Sequence, residues 1–193
     1  VLINMVFSST LAYPLSRPYF KGRKFFTNMV IVTMLFSGGM VPAYLVVANV
    51  LHLKDSFWAL WLPGAVNPFN MIIIKNYFQG LPTELEEAAY IDGAGFFRTF
   101  VQVMMPCAKG GLASAAVLTF LESWNEFTFA LLLTSSTDNR TLPLSLSYFT
   151  SQFSFNYTAM FAAITIAVLP SIIVFAIFQE QVNASLTAGS VKG

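Results

Sequence analysis

The feature that most constrains this chain is a set of apolar runs long enough to cross a lipid bilayer. A spanning helix needs about 20 mostly apolar residues, and four windows meet that length: 28–51, 57–78, 110–134 and 158–179. Residues 1–15 form a shorter run. It reads as the tail of a fifth helix, in a chain that starts without Met partway through a membrane segment. Gly38-Gly39, Pro42, Pro63-Gly64, Asn67-Pro68 and Pro170 interrupt the windows; membrane helices tolerate such breaks when neighbours satisfy the freed carbonyls. The runs are continuous rather than alternating, which predicts an all-α integral membrane bundle and not a β-barrel. Only 10% of residues are charged, against about 25% in an average soluble domain. That is too few to cover the wet surface of a small globule. An ordinary soluble enzyme, a disordered chain and a nucleic-acid binder are all excluded on this ground. The single Cys107 and single His52 leave no disulfide framework and no multi-Cys or His-pair metal site, so no metal or cofactor is expected. His52 reads as a solvated loop residue, and Cys107 as a small residue without a redox role.

The charges set the orientation. Arg17, Lys21, Arg23, Lys24, Lys75, Arg98, Lys109 and Lys192 fall on one side of the predicted spans, and Lys54 and Arg140 on the other. Such an excess marks the cytoplasmic side. The connection 80–109 and the tail 180–193 are then cytoplasmic, and the loops 52–56 and 135–157 face outward. Trp58, Trp61, Tyr77 and Tyr157 lie near helix ends, where amphipathic rings favour the interface.

The long inside connection has the grammar of a helix. Thr83 followed by Glu86 matches a capping box. Glu84, Glu86 and Glu87 crowd the first turn, where the helix dipole favours anions. Gly93 follows Asp92 where a helix would stop. Leu85, Ala88, Ala89 and Asp92 are spaced to share one face. That face is narrow enough for another protein to approach closely, with Glu87 and Tyr90 projecting elsewhere. The same pattern fits a short amphipathic helix lying on the headgroups.

Glu87-Ala88-Ala89, then Gly93, then Val103-x-Met105-Pro106 resembles the EAA loop of the permease subunits of binding-protein-dependent ABC importers. Leu85 to Ala94, the Trp124-Asn125-Glu126-Phe127 run, Thr141-Leu142-Pro143 and the tail 186–193 are similar to the carbohydrate-uptake branch, and the tail to its maltose-permease-like second permease. The resemblance covers essentially the whole chain. It implies an ABC importer type I permease bundle with about five of six transmembrane helices present. It also implies a second permease subunit as heterodimer partner, an ABC ATPase dimer, an extracytoplasmic solute-binding protein and a carbohydrate substrate. The chain would sit in the bacterial inner membrane as a non-catalytic subunit. By the same analogy Leu85, Glu87, Ala88, Ala89, Asp92, Gly93 and Pro106 couple it to the ATPase. Glu87 would make the polar contact, Ala88 and Ala89 the close packing and Gly93 the turn, and the tail would add a further contact. No GxxxxGK[ST] phosphate loop occurs, which leaves nucleotide to a partner.

Within the membrane windows, Glu122 and Glu126 stand four apart, and on one helix they would share a face. With Trp124 and Asn125 between them, two readings stay open. One is the lining of a translocation path, since acids, amides and aromatics suit sugar hydroxyls and ring faces. The other is a packing network between helices or with the partner permease. These two acids are also the only candidates for intramembrane catalysis or proton coupling. Asn67 and Asn70 beside Pro68 read as satisfying a broken helix.

Overall fold

The computed structural model describes the backbone of residues 1–148 and 157–190, and the side chains of residues 1–148 and 157–183. The regular elements among them are helical: α1 (Leu2–Ser16), α2 (Arg23–Leu35), α3 (Met40–Leu45), α4 (Phe57–Trp61), α5 (Pro68–Gly80), α6 (Glu84–Ile91), α7 (Phe96–Thr99), α8 (Met105–Cys107), α9 (Lys109–Trp124), α10 (Thr128–Leu133), α11 (Leu142–Ser147) and α12 (Tyr157–Ser190). Widened π segments, Val46–Val50 and Phe100–Met104, follow α3 and α7.

The breaks follow local chemistry. Gly39 before α3 has φ +87°, a conformation that side chains with a Cβ avoid. Ser56 caps α4, accepting from the Trp58 N–H at 3.1 Å. Asn67 caps α5, its Oδ1 accepting from the N–H groups of Phe69 (2.9 Å) and Asn70 (3.2 Å). Pro68 then takes the first helical position, where a missing N–H costs nothing. The apolar windows therefore map onto broken segments. Window 28–51 runs over α2, α3 and a π segment, 57–78 over α4 and α5, and 110–134 over α9 and α10, whereas 158–179 lies wholly in α12. Among the described residues only α12, over Tyr157–Asn183, is by itself long and apolar enough to cross a bilayer. Arg23–Leu35 with Met40–Val50, and Phe96–Cys107 with α9, reach that standard as bent pairs. The tail expected at 180–193 continues α12 to Ser190; its side chains from 184 and residues 191–193 lie outside the described residues, as does 149–156 of the outward loop.

The chain divides into two compact units. The first comprises Val1–Ser37, Ala65–Thr119 and the chain from Phe178. Its core gathers Ala12, Tyr13, Leu15, Met71, Ile74, Phe78, Phe100 and Met104. A polar relay crosses it. The Thr119 hydroxyl oxygen accepts from Asn70 Nδ2 at 2.9 Å and lies 3.2 Å from Asn4 Oδ1, tying α9, α5 and α1 together. Asn70 thus links helices instead of repairing the break beside Pro68. Helix α5 also meets α9 at Gly111, where an added Cβ would fall inside the Tyr77 ring and against its Cβ. Small residues at such crossings let helix backbones approach closely. The Ser114 hydroxyl donates to the Gln181 carbonyl at 2.6 Å, fastening α9 to α12.

The second unit, Gly38–Gly64 and Phe120–Ile177, packs Val47, Ala59 and Leu133 together. Two of its loops, 51–56 and 134–141, are clasped by Asp55. The carboxylate accepts from the N–H groups of Ser135 (2.8 Å) and Ser136 (2.9 Å) and from the Ser136 hydroxyl (3.0 Å). Asn139 donates to the Asp55 carbonyl at 2.7 Å. The Ser136 and Ser135 backbone donors hold the Asp55 carboxyl down at about 2, against an ordinary 3.8. A depressed carboxyl stabilises the fold fully above its unfolded value and stops doing so as pH falls through its folded value. The clasp is therefore expected to hold above pH 3.8 and loosen towards pH 2. Carbon-13 NMR of Asp55 checks this directly. A midpoint at the ordinary value would mean that the loops are not held together in this way.

Candidate functional site

Helix α6, in the long connection of the first unit, is where sequence and geometry converge. Its eight residues have one face packed inward and one open. Leu85 packs against the core, and Glu86 and Ala89 are buried. Glu84, Glu87, Ala88, Tyr90, Ile91 and Asp92 are exposed, Ile91 by 85%. The face expected from Leu85, Ala88, Ala89 and Asp92 is therefore split. Leu85 and Ala89 serve the interior, while Ala88 and Asp92 stand outside with Glu87. The open surface is larger than the narrow alanine stripe and mixed, with Ala88, Tyr90 and Ile91 among three acids.

The expected capping box does not form. Thr83 occupies the cap position, yet no side-chain hydrogen bond is made there. Glu86 turns inward instead, because stronger partners lie beneath it. Arg17 Nε is 2.6 Å from Glu86 Oε1. The Tyr13 hydroxyl donates to the same oxygen at 2.7 Å, and the Tyr19 hydroxyl to Oε2 at 3.3 Å. The pair is almost wholly removed from solvent, with Arg17 1% and Glu86 3% exposed. Burial, then the negative charge of Glu86, pushes the Tyr19 phenol up to about 12, so it stays a neutral donor at any physiological pH. Sequence reasoning treated Arg17 only as an inside charge and Glu86 as a cap. The available signal was that Glu86 stands three before Ala89, so the two share a side of the helix.

The helix stops as expected at Gly93, whose φ is +78°. The Ala94 N–H donates to the Ala89 carbonyl at 2.9 Å and the Gly93 N–H to the Tyr90 carbonyl at 3.0 Å, the paired bonds of a Schellman termination. Pro106 lies in the first turn of α8, exposed, beyond the π segment.

The other candidates lie around the end of α9. That helix ends at Trp124, so Glu126 is past its terminus and the shared helical face expected for Glu122 and Glu126 is not formed. The Glu126 carboxylate accepts from the N–H groups of Phe129 (2.6 Å) and Ala130 (2.9 Å), closing the first turn of α10. This satisfies donors that a helix start leaves open. Asn125 Nδ2 donates to the Leu121 carbonyl at 2.7 Å, finishing α9. The Trp124 indole donates to the Ala167 carbonyl of α12 at 2.9 Å, in the turn preceding Pro170. Three of the four path candidates thus make bonds that build the second unit, and Glu122 is exposed.

Comparisons with known proteins bear on the family and the fold. The model of the family described as binding-protein-dependent transport system inner membrane component matches residues 4–188. Protein LplC of Bacillus subtilis (strain 168) is 40% identical over 205 residues, taking in 99% of this chain and 69% of LplC. The arabinooligosaccharides transport system permease protein AraQ of the same organism is 34% identical over 194 residues, 100% of this chain and 69% of AraQ. The chain spans about two thirds of the length of such relatives. A crystal structure of a bacterial ABC transporter involved in the import of the acidic polysaccharide alginate matches with a TM-score of 0.86 at 29% identity, over 93% of this chain and 69% of that one. The all-α permease bundle is therefore the fold of this chain, and the chain belongs to the family of inner membrane components of binding-protein-dependent transport systems.

Proposed function

We propose that this chain is the permease subunit through which a carbohydrate, an oligosaccharide or a sugar derivative, enters the cell, with α6 docking on a separate ATPase. The observation that carries the reading is the division of α6. Its back is fixed by Glu86 and Ala89, while Glu87, Ala88 and Ile91 are presented to whatever lies beyond. A short helix held from behind, with Ala88, Tyr90 and Ile91 open in front, suits docking in a groove, and the acid at Glu87 suits a basic partner at its rim. One relative is an arabinooligosaccharides transport permease and another belongs to a transporter involved in alginate import, which supports a carbohydrate cargo. A second permease as heterodimer partner, a paired ATPase, a solute-binding protein and a cytoplasmic C-terminus complete the proposal. Lipid is the solvent of the exposed apolar side chains of α12, such as Phe161, Ile166 and Ile177.

The test uses the full-length subunit in liposomes with its partner permease, ATPase and binding protein. ATP-dependent uptake of labelled oligosaccharides is expected for the wild type. Glu87→Lys is expected to cut uptake and stimulated ATP hydrolysis by about tenfold or more, the loss of about 1.4 kcal/mol at an interface, while the permease stays folded. Uptake of peptides or polyamines in place of sugars would assign the same machinery another cargo. Unchanged uptake in Glu87→Lys would remove α6 as the docking element.

A further inference from the structure

The buried pair behind α6 has a geometry that stability alone does not call for. One guanidinium reaches three parts of the long connection. Arg17 Nη1 donates to the Leu81 carbonyl at 3.3 Å, just before α6; Nε meets Glu86 within it; and Nη2 lies 4.0 Å from Met104 Sδ, well after it. Tyr13, one turn back on α1, repeats the pattern. Its hydroxyl holds Glu86, and its ring packs on Phe78 at 5.5 Å and Phe100 at 5.0 Å, from the two sides of the connection. Arg17 itself is fixed to the end of α1, its N–H donating to the Pro14 carbonyl at 3.2 Å.

The covalent routes out of α6 are compliant by comparison. Gly80 ends α5 before it, and Gly93 and Gly95 follow it, all three with open space where a Cβ would be. Glycine gives the backbone its widest conformational freedom. A push on α6 along the chain would be absorbed at Gly80 and Gly95, outside the hydrogen-bonded turn that holds Gly93. A push through Glu86 meets a dry ion pair with Arg17, at the end of a 15-residue helix, and the Tyr13 hydrogen bond one turn back on it. Energetic coupling travels through packed and hydrogen-bonded contacts of this kind.

We propose that Arg17, paired with Glu86 beneath the docking helix, is a positioning residue that passes the movement of α6 to α1. This rests on the reading of α6 as the ATPase-docking helix. The two neighbouring acids then divide the work: Glu87 faces the partner, and Glu86 faces the bundle.

The experiment measures ATP hydrolysed per solute imported, in the complete importer reconstituted in liposomes. A purely structural role lowers hydrolysis and uptake together, through the amount of assembled complex, and leaves this ratio unchanged. The double variant Arg17→Met/Glu86→Leu removes both charges and leaves neither buried alone. It is expected to assemble with the ATPase and to raise the ratio about fivefold or more, the lower end of the range for coupling between sites. An assembled double variant with the wild-type ratio would overturn the proposal. Where the double variant fails to assemble, Arg17→Lys carries the test. It keeps the buried charge balanced but loses the planar fork that reaches Leu81 and Met104. A raised ratio in Arg17→Lys supports the joint, and a wild-type ratio overturns it. Failure of the docking reading looks different: Glu87→Lys would then leave uptake, stimulated hydrolysis and ATPase recruitment as in the wild type.

Discussion

Glu86→Ala is expected to destabilise the subunit by about 3–5 kcal/mol, the usual cost of stranding one half of a buried ion pair. The loss would leave the Arg17 guanidinium, 1% exposed, without its carboxylate, and the Tyr13 and Tyr19 hydroxyls without their acceptor. The effect is expected as a fall in the thermal midpoint of the detergent-purified importer and in the yield of monodisperse complex. Glu87→Ala, one residue further on and exposed, should leave the thermal midpoint of the permease purified without the ATPase within about 0.5 kcal/mol of wild type, as surface substitutions usually do. Removing Arg17 together with Glu86 should recover most of the loss, since apolar replacement of a whole buried pair is often neutral. Equal effects of Glu86→Ala and Glu87→Ala on stability would contradict the inward placement of Glu86.

Gly111→Val is the second large effect. The new Cβ would overlap the Tyr77 ring and approach the Tyr77 Cβ, which is anchored to the α5 backbone and cannot swing aside. Overpacking costs about 1–3 kcal/mol in a well-packed core, and the contact with the Tyr77 Cβ, which no rotamer moves, places Gly111→Val at the upper end. The cause can be isolated by combination. In a Tyr77→Gly background both the ring and its Cβ are gone, and Gly111→Val should cost much less than it does alone. Additive losses in the double variant would show that the glycine is needed for some other reason. Thermal unfolding of the four proteins in detergent supplies the comparison.

How much of this was legible in the sequence varies from element to element. The apolar windows marked the membrane-seeking segments, and 158–179 became one long helix because only Pro170 interrupts it. The Gly93 stop was readable because a left-handed turn after a short helix leaves few alternatives to glycine. The Asn67-Pro68 start was readable for the same kind of reason. The end of α9 was not. Nothing between Phe120 and Thr128 is a glycine or proline, and the break is held by Glu126 reaching forward to the Phe129 and Ala130 N–H groups. That choice depends on three-dimensional competition for a carboxylate, so an acid suggestive of a translocation path takes part in helix capping. The faces of α6 were ambiguous in the same way. With three acids in four positions and two adjacent alanines, periodicity allows more than one inward stripe. The side was decided by Arg17, some seventy positions away in sequence.

The eight-residue length of α6 carries a consequence for anyone seeking to inhibit the importer. Isolated helices below about 12–15 residues are marginal in water, because the nucleation cost is spread over too few bonds. Cut from its context, a peptide copying residues 80–95 would therefore be a coil. It would have to meet the whole ordering entropy on contact with the ATPase, and would compete poorly. A stapled version, with the constraint on the Leu85 and Ala89 side, would replace by chemistry the support that the folded bundle supplies and leave the opposite side free to bind.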